Sequence, residues 1–242
     1  METLKIATKL GKLHTYMGAN GFEIEEVTEP GKISQLVAQL DKPYLTPMSS
    51  PDHNDFTENN VICLVAMKNG KPAMMGCARL EDIGEEPVGR YWSRVFARAY
   101  ATKANEQIIG ETRPKIEIIL QRKLVYFGDL FVAQKTRGNR LPLRAFIAIG
   151  HLAAALKWDP DWIYCFIRER DILLGASEMY GFNRDFGPAF KWLGDPPHPR
   201  DHSEQLVAVD RSDIQMMTER TALAVERSTS PYTINSEKFK IA

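Results

Sequence analysis

Apolar positions along the chain switch between two periods, and the switches mark out its elements. Phe22-Glu23-Ile24-Glu25-Glu26-Val27 alternates apolar with acidic residues, which predicts a half-buried strand closed by Pro30-Gly31. Residues Ile33 to Leu40 have helical spacing, and a Pro/Ser/Asp-rich connector follows from Asp41 to Asp55. Val61–Met67 and Pro72–Leu80 read as two strands around Lys68-Asn69-Gly70-Lys71, and Asn-Gly is the strongest short hairpin signal. The stretch Ile116 to Gln134 is β-prone throughout. Residues 141–157 are apolar nearly all round, as suits a helix sandwiched in a core, with Pro142 in the first turn where a missing N–H costs little. Trp162–Ile167 reads as a strand, 170–180 as a helix ended by Gly181, Gln205–Val209 as a final strand, and Ile214–Arg227 as a closing helix. The first 20 residues predict a short helix ending near Gly18 or Gly21.

This order, β, α, β-hairpin, insertion, β, α, β, α, β, predicts an α/β (α+β) fold with a mixed central sheet flanked by helices. Residues 82–114 read as a helical insertion between the third and fourth strands. The expected organisation is an N-terminal extension (1–20), one domain (21–210) and a C-terminal helix and tail (211–242). Within the insertion Tyr91, Trp92, Val95, Phe96 and Tyr100 fall at helical spacing among Arg90, Arg94 and Arg98. That pattern fits an amphipathic helix docked on the body better than a nucleic-acid or membrane surface.

Composition narrows the picture further. The chain has 242 residues, enough for a large core without disulfides or metals. Thirty-one Lys and Arg balance thirty-one Asp and Glu, which argues against nucleic-acid binding through bulk charge. The longest apolar run, Ala145 to Leu156, falls short of the roughly 20 residues of a membrane span. Cys63, Cys77 and Cys165 match no zinc spacing, and with no secretory signal they predict a reducing, cytoplasmic setting. Cys63 and Cys77 sit in apolar runs and are expected in the core. His198-Pro-Arg-Asp-His202 offers two imidazoles without a third ligand nearby, so no metal site is expected. Ser49, Ser50 and Ser177 lack the Gly-x-Ser-x-Gly elbow of a hydrolase.

The stretch that carries chemistry is Leu130-Phe131-Val132-Ala133-Gln134-Lys135-Thr136-Arg137-Gly138-Asn139-Arg140-Leu141. It predicts a buried strand, a polar turn with a glycine, and a helix start. Free N–H groups at a helix start carry partial positive charge and bind anions, and a glycine lets backbone approach closely. Lys135, Arg137, Arg140 and Arg144 add cationic side chains. The residues alone leave two readings open, a pyrophosphate site or a plain turn with solvated basic groups.

Here the sequence resembles the GNAT (N-acetyltransferase) superfamily. In that family an apolar-Val strand end leads through an Arg/Gln-x-x-Gly-x-Gly/Ala turn into a helix, and a later helix ends in Tyr…Gly-Phe. The matching residues are Leu130-Phe131-Val132, Lys135–Arg140 and Met179-Tyr180-Gly181-Phe182, and element order matches over about residues 20–210. Lys135 and Arg140 depart from the family pattern. The resemblance implies an acyl-CoA-dependent N-acyltransferase, with acetyl-CoA or another acyl-CoA bound by Phe131, Val132, Lys135, Thr136, Arg137, Gly138, Asn139 and Arg140. It implies an amine acceptor, small molecule or protein, and leaves a homodimer open. A tyrosine acid suits protonation of the leaving thiolate. Tyr180 is the first candidate, and Ser177, at the family's usual tyrosine place, is the second. Asp129 and Glu169 are candidate bases. The backbone N–H of Val132 is a candidate to polarise the thioester.

Two other readings belong beside it. One is a GNAT-like module that binds without catalysis. The other is similarity to acyl-homoserine-lactone synthases, which use acyl-carrier protein. There Tyr126 and Asp129 stand where those enzymes carry a Glu and an Arg.

Overall fold

A computed structural model describes residues 3–229 except 41, 43 and 102, 104 and 105. Residues 41 and 43 of the expected connector, 102, 104 and 105 of the expected insertion and the tail from 230 onward therefore lie outside the described residues. The first helix, α1 (Thr3–Ala19), precedes β1 (Phe22–Val27) and α2 (Pro30–Gln39). A hairpin of β2 (Val61–Lys68) and β3 (Lys71–Gly84) follows, then α3 (Val88–Tyr100), α4 (Pro114–Ile119) and β4 (Arg122–Val132). The chain continues through α5 (Arg140–Trp158), β5 (Trp162–Arg168), the short helices α6 (Glu169–Leu173) and α7 (Ala176–Met179), β6 (Arg184–Asp185), β7 (Glu204–Asp210) and α8 (Arg211–Thr229).

The strands form one mixed sheet in the order β1-β2-β3-β4-β5-β7-β6. β1 to β4 make an antiparallel meander, β4 and β5 run parallel across α5, and β7 returns antiparallel to β5. Asn69 and Gly70 take φ of 52° and 69°, the doubly left-handed turn that Asn-Gly favours.

Alternation along the strands sends side chains to two cores. Val61, Cys63, Val65, Met75 and Cys77 face α2 through Ile33 and Leu40. Ile62, Leu64, Ala66, Met74, Ala78 and Phe127 join the cluster that holds α1, α5 and α8. Gly150, in the middle of α5, lets that helix close on the sheet, because a Cβ there would stand 2.8 Å from the Phe127 ring. On the α2 side, α3 lays Trp92 and Phe96 against Tyr164, Phe166 and Phe190. Its arginines face outward, Arg94 to Glu86 and Arg98 to Asp55, so the amphipathic helix docks as expected.

Several expectations need correction. β3 extends to Gly84, so the insertion begins after residue 84 rather than at 82. Ile116–Ile119 is helical rather than strand, because Pro114 starts a helix whose Ile116 packs inward. The expected 170–180 helix is broken in two at Gly175, where the backbone turns left-handed. The first helix ends at Ala19, near Gly18 and Gly21 as expected, but it spans 17 residues and buries Ile6, Leu13, Tyr16 and Met17. Cys63 and Cys77 are buried as expected, paired across β2 and β3.

One buried polar network locks α3 and the 47–54 segment to the sheet. Arg79 pairs with Glu81 and donates to the Met48 carbonyl (2.8 Å) and to Asn54 Oδ1 (2.7 Å). Tyr164 donates to Glu81 Oε2 at 2.6 Å and accepts from Trp92 Nε1 at 2.9 Å. Deleting one member of a buried pair strands the other charge. Glu81→Ala is therefore expected to cost about 3–5 kcal/mol in urea denaturation. The double change Arg79→Met, Glu81→Leu should recover most of that loss.

Candidate active site

The central feature is the divergence of β4 from β5. The two pair over only three residues, Leu124 with Trp162, Val125 with Ile163 and Tyr126 with Tyr164, and then part. The cause lies in β4 itself. Asp129 adopts φ of 55°, and the register against β3 shifts there, with Cys77 opposite Gly128 and Met75 opposite Phe131. A bulge of this kind bends a strand and increases its twist. A non-glycine residue in the left-handed region needs a compensating hold. Asp129 has one, because its fully buried carboxylate accepts from Lys42 Nζ (2.8 Å), the Thr46 amide (3.0 Å) and the Thr46 hydroxyl.

The gap opens as two adjoining cavities. One, of about 340 Å³, runs between the parted strands and is walled by the connector residues Lys42, Tyr44 and Thr46, by Gly128–Phe131, by Cys165–Arg168, and by Arg200 and Glu204. The other, of about 320 Å³, lies at the start of α5 and is lined by Phe131, Val132 and Thr136–Arg140. Leu130, Phe131 and Tyr180 border both.

At the α5 cavity the turn is built of backbone. A short 3-10 turn, Gln134–Thr136, leads to Gly138 at φ of 107°, where a Cβ would meet nothing within 4 Å. The glycine therefore serves the backbone conformation rather than a tight packing contact. Asn139 caps the helix by accepting from the Leu141 amide at 3.2 Å. The amides of Gly138, Asn139 and Arg140 have no partner among the described residues, and Pro142 has no N–H to satisfy. Three neighbouring donors at the positive end of a 19-residue helix thus belong to residues that line an open cavity.

The side chains there divide. Thr136, Arg137, Gly138, Asn139 and Arg140 line the cavity, whereas Lys135 is exposed and stands outside it. Arg137 Nε folds back to the Val132 carbonyl (3.1 Å), and Arg144 turns away to Glu178 (3.1 Å). The Ala133 amide bonds to Ala73 on β3 (2.8 Å). Successive N–H groups along a strand alternate in direction, so the Val132 N–H points away from β3, toward the gap.

Of the candidate acids and bases, Tyr180 sits at the junction of the cavities, its phenol raised by burial. Its hydroxyl has no hydrogen-bond partner among the described residues. Ser177 lies on α7 and borders neither cavity. Asp129 borders the larger one, but with three donors on it and a fully buried side chain it is a clamp rather than a free base. Glu169 accepts from Gln205 (3.1 Å), outside both cavities.

Sequence reasoning missed Arg200 and Glu204. Glu204 borders the larger cavity, and burial raises its carboxyl against the lowering influence of Arg200. The only prior signal was the Pro-rich loop that brings residue 200 under the sheet. His198 packs edge-on to Tyr44 (5.2 Å), and the described residues hold no group of three or more potential metal ligands. No helix among them is long and apolar enough to cross a membrane.

His151 lies on the buried face of α5. It is 1% exposed between Phe127 and Phe182, but its Nε2 finds no partner among the described residues. Burial lowers it to about 4. The unfolded chain, near 6.5, therefore binds more protons between those values. Stability should be intact above about pH 6.5 and fall as the pH drops toward 4, by about 3 kcal/mol over the window. Urea denaturation at pH 7.5 and 4.5 should show a loss in the wild type that His151→Leu reduces by roughly that amount.

No family model matches this sequence, and no curated protein does. Solved structures are similar to it only at low identity. A variant of agmatine N-acetyltransferase in its apo form is 14% identical, with 78% of this chain and 99% of that one covered at a TM-score of 0.49. An aminoglycoside N(6')-acetyltransferase from Legionella pneumophila is 10% identical, covering 81% and 95% at 0.40. A GNAT-family acetyltransferase from Streptococcus agalactiae is 14% identical, covering 78% and 95% at 0.37. At such identities and scores these likenesses carry nothing about chemistry, which rests on the residues of this chain.

Proposed function

We propose that this chain is an N-acyltransferase of GNAT type that moves an acyl group, acetyl in the simplest case, from CoA to an amine. The observation that carries the reading is the parted β4–β5 pair opening directly onto three unpartnered amides at the start of α5. A CoA molecule has the matching chemistry. Its pyrophosphate suits the helix start. Its pantetheine arm carries two amides that pair with a strand whose neighbour has moved away. The residues offered for CoA are Phe131, Val132, Thr136, Arg137, Gly138, Asn139 and Arg140. Lys135 contributes through charge at the rim.

In this scheme the thioester lies where the two cavities meet. The Val132 N–H is aimed to polarise its carbonyl. The neutral amine nitrogen attacks the carbonyl carbon, the N–C bond forms, and the C–S bond then breaks. The nitrogen gives up a proton, the leaving thiolate takes one, and the products are an amide and free CoA thiol. Tyr180 is the proposed proton donor to sulfur, since a phenol and a thiol have comparable proton affinities. Glu204 is the proposed acceptor of the amine's proton, in place of Asp129, whose buried carboxylate already accepts three hydrogen bonds.

Two measurements test the reading. Calorimetry should detect acetyl-CoA or longer acyl-CoA binding, and Gly138→Val should weaken it at least about tenfold with little change in melting temperature. A left-handed position imposes roughly 1–3 kcal/mol of strain on a β-branched residue, which the turn relieves by changing shape. Unchanged affinity would remove the phosphate site from the scheme. Once an acceptor is found, Tyr180→Phe should lower kcat by about 100-fold or more with KM nearly constant, as loss of an acid in the chemical step does.

A further inference from the structure

The larger cavity contains an arginine whose donors are not satisfied by the protein. Arg200 is 9% exposed. Its guanidinium carbon is held 5.3 Å from the Phe96 ring and 5.1 Å from the Phe166 ring. Among the described residues, neither its Nε nor its Nη2 finds a hydrogen-bond acceptor. Glu204 Oε2 is 2.8 Å from Nη2, close enough for ion pairing but out of line with the N–H. The Tyr100 hydroxyl, beside the same guanidinium, is buried and makes no well-aligned hydrogen bond among the described residues.

A guanidinium has five N–H donors in a rigid fork. Leaving them unpaired in an aromatic pocket is costly, and a planar oxyanion relieves that cost with two parallel bonds. The neighbouring charges indicate where a ligand's own charges go. Lys42 and Asp129 neutralise one another, and Arg168 donates to the Pro199 carbonyl (3.1 Å). Among the described residues lining the cavity, Arg200 is the buried cation whose Nε and Nη2 lack acceptors, and Glu204, its ion-pair partner, is the carboxyl suited to receive an ammonium group.

We infer that the acceptor is an α-amino acid, its carboxylate held by the Arg200 guanidinium and its amine turned toward Glu204. This deepens the acyltransferase reading and rests on it. The spacing agrees, because an α-amino acid carries its two charges on one carbon, and Arg200 and Glu204 are ion-paired neighbours. Tyr44, Tyr126 and Phe166 leave an apolar wall for the side chain, and the cavity of about 340 Å³ is at the small end for ligand sites. A polycation has no such fit, since it brings positive charge to the free donors of Arg200.

The test compares matched acceptors by thiol release from acetyl-CoA and a longer acyl-CoA. The twenty amino acids are screened, and each hit is set against its decarboxylated amine and its carboxamide. The expected result is a kcat/KM about 10- to 100-fold higher for the amino acid, the worth of a charge-assisted hydrogen bond. Arg200→Gln should shrink that ratio to within roughly threefold. Arg200→Lys, which keeps the charge but not the fork, should fall between. Circular dichroism checks that each variant folds. If decarboxylated amines serve as well as or better than amino acids, the inference is overturned while the acyltransferase stands. If acyl-CoA binds but no amine reacts, thermal shift decides: an amino acid that stabilises the CoA-loaded wild type but not Arg200→Gln supports it, and no shift overturns it. If no acyl-CoA binds, both readings fall together.

Discussion

The architecture of the site depends on the hold that Lys42 and Thr46 have on the Asp129 carboxylate. A left-handed aspartate in mid-strand is a strained feature, and three donors keep it in place. That feature bulges β4 and ends its pairing with β5 after Tyr126. Past this point both strands present unpaired backbone groups to one gap. Inside a core such an arrangement would be costly. Here it faces cavities, and in the proposed function an extended, amide-bearing ligand supplies what the missing strand does not. The same three bonds fix Lys42 and Thr46 of the connector at the wall of the larger cavity, so the shape of the strand and of that cavity are set together.

The rest of the fold makes that gap rigid. α5 is buried along most of its length and closes on β4 through Gly150 and Phe127, so the amides at its start are carried on a well-packed rod. On the opposite face the Arg79–Glu81–Tyr164–Trp92 network ties α3 and the 47–54 segment to β3 and β5. Buried ion pairs contribute little net stability compared with apolar substitutes and are better understood as fixing one arrangement. That role suits this place, because α3 supplies Phe96, which holds the Arg200 guanidinium from one side.

Much of this was legible in the sequence, and the parts that were not share a physical cause. The hairpin at Asn69-Gly70, the apolar helix after Pro142 and the polar turn at Gly138 announce themselves through local chemistry, and the order of elements followed from them. The broken helix at Gly175 and the helical Ile116–Ile119 were misread because short segments carry few periods to count. The role of Asp129 was invisible, since its partners lie more than eighty residues away in a connector without pattern. The same holds for Arg200 and Glu204, which come from a Pro-rich loop and a strand start that no periodicity singles out.

This difference between what could and could not be read follows the two ends of the cleft. The end assigned to CoA is made chiefly of backbone, with amides exposed by a bulge, a glycine turn and a helix start. Backbone sites leave traces in sequence because particular residues are needed to shape them. The end proposed for the acceptor is made of side chains brought together from the connector, β4, β5, the loop before β7 and the start of β7, and such convergence leaves no trace. It also explains why Arg200 and Glu204 are hard to assign to stability alone. Two apolar residues would fill their place beneath the aromatic cluster without the burden of burying charge. An arginine buried with unsatisfied donors at the wall of a cavity makes better physical sense as half of a contact whose other half arrives with the substrate.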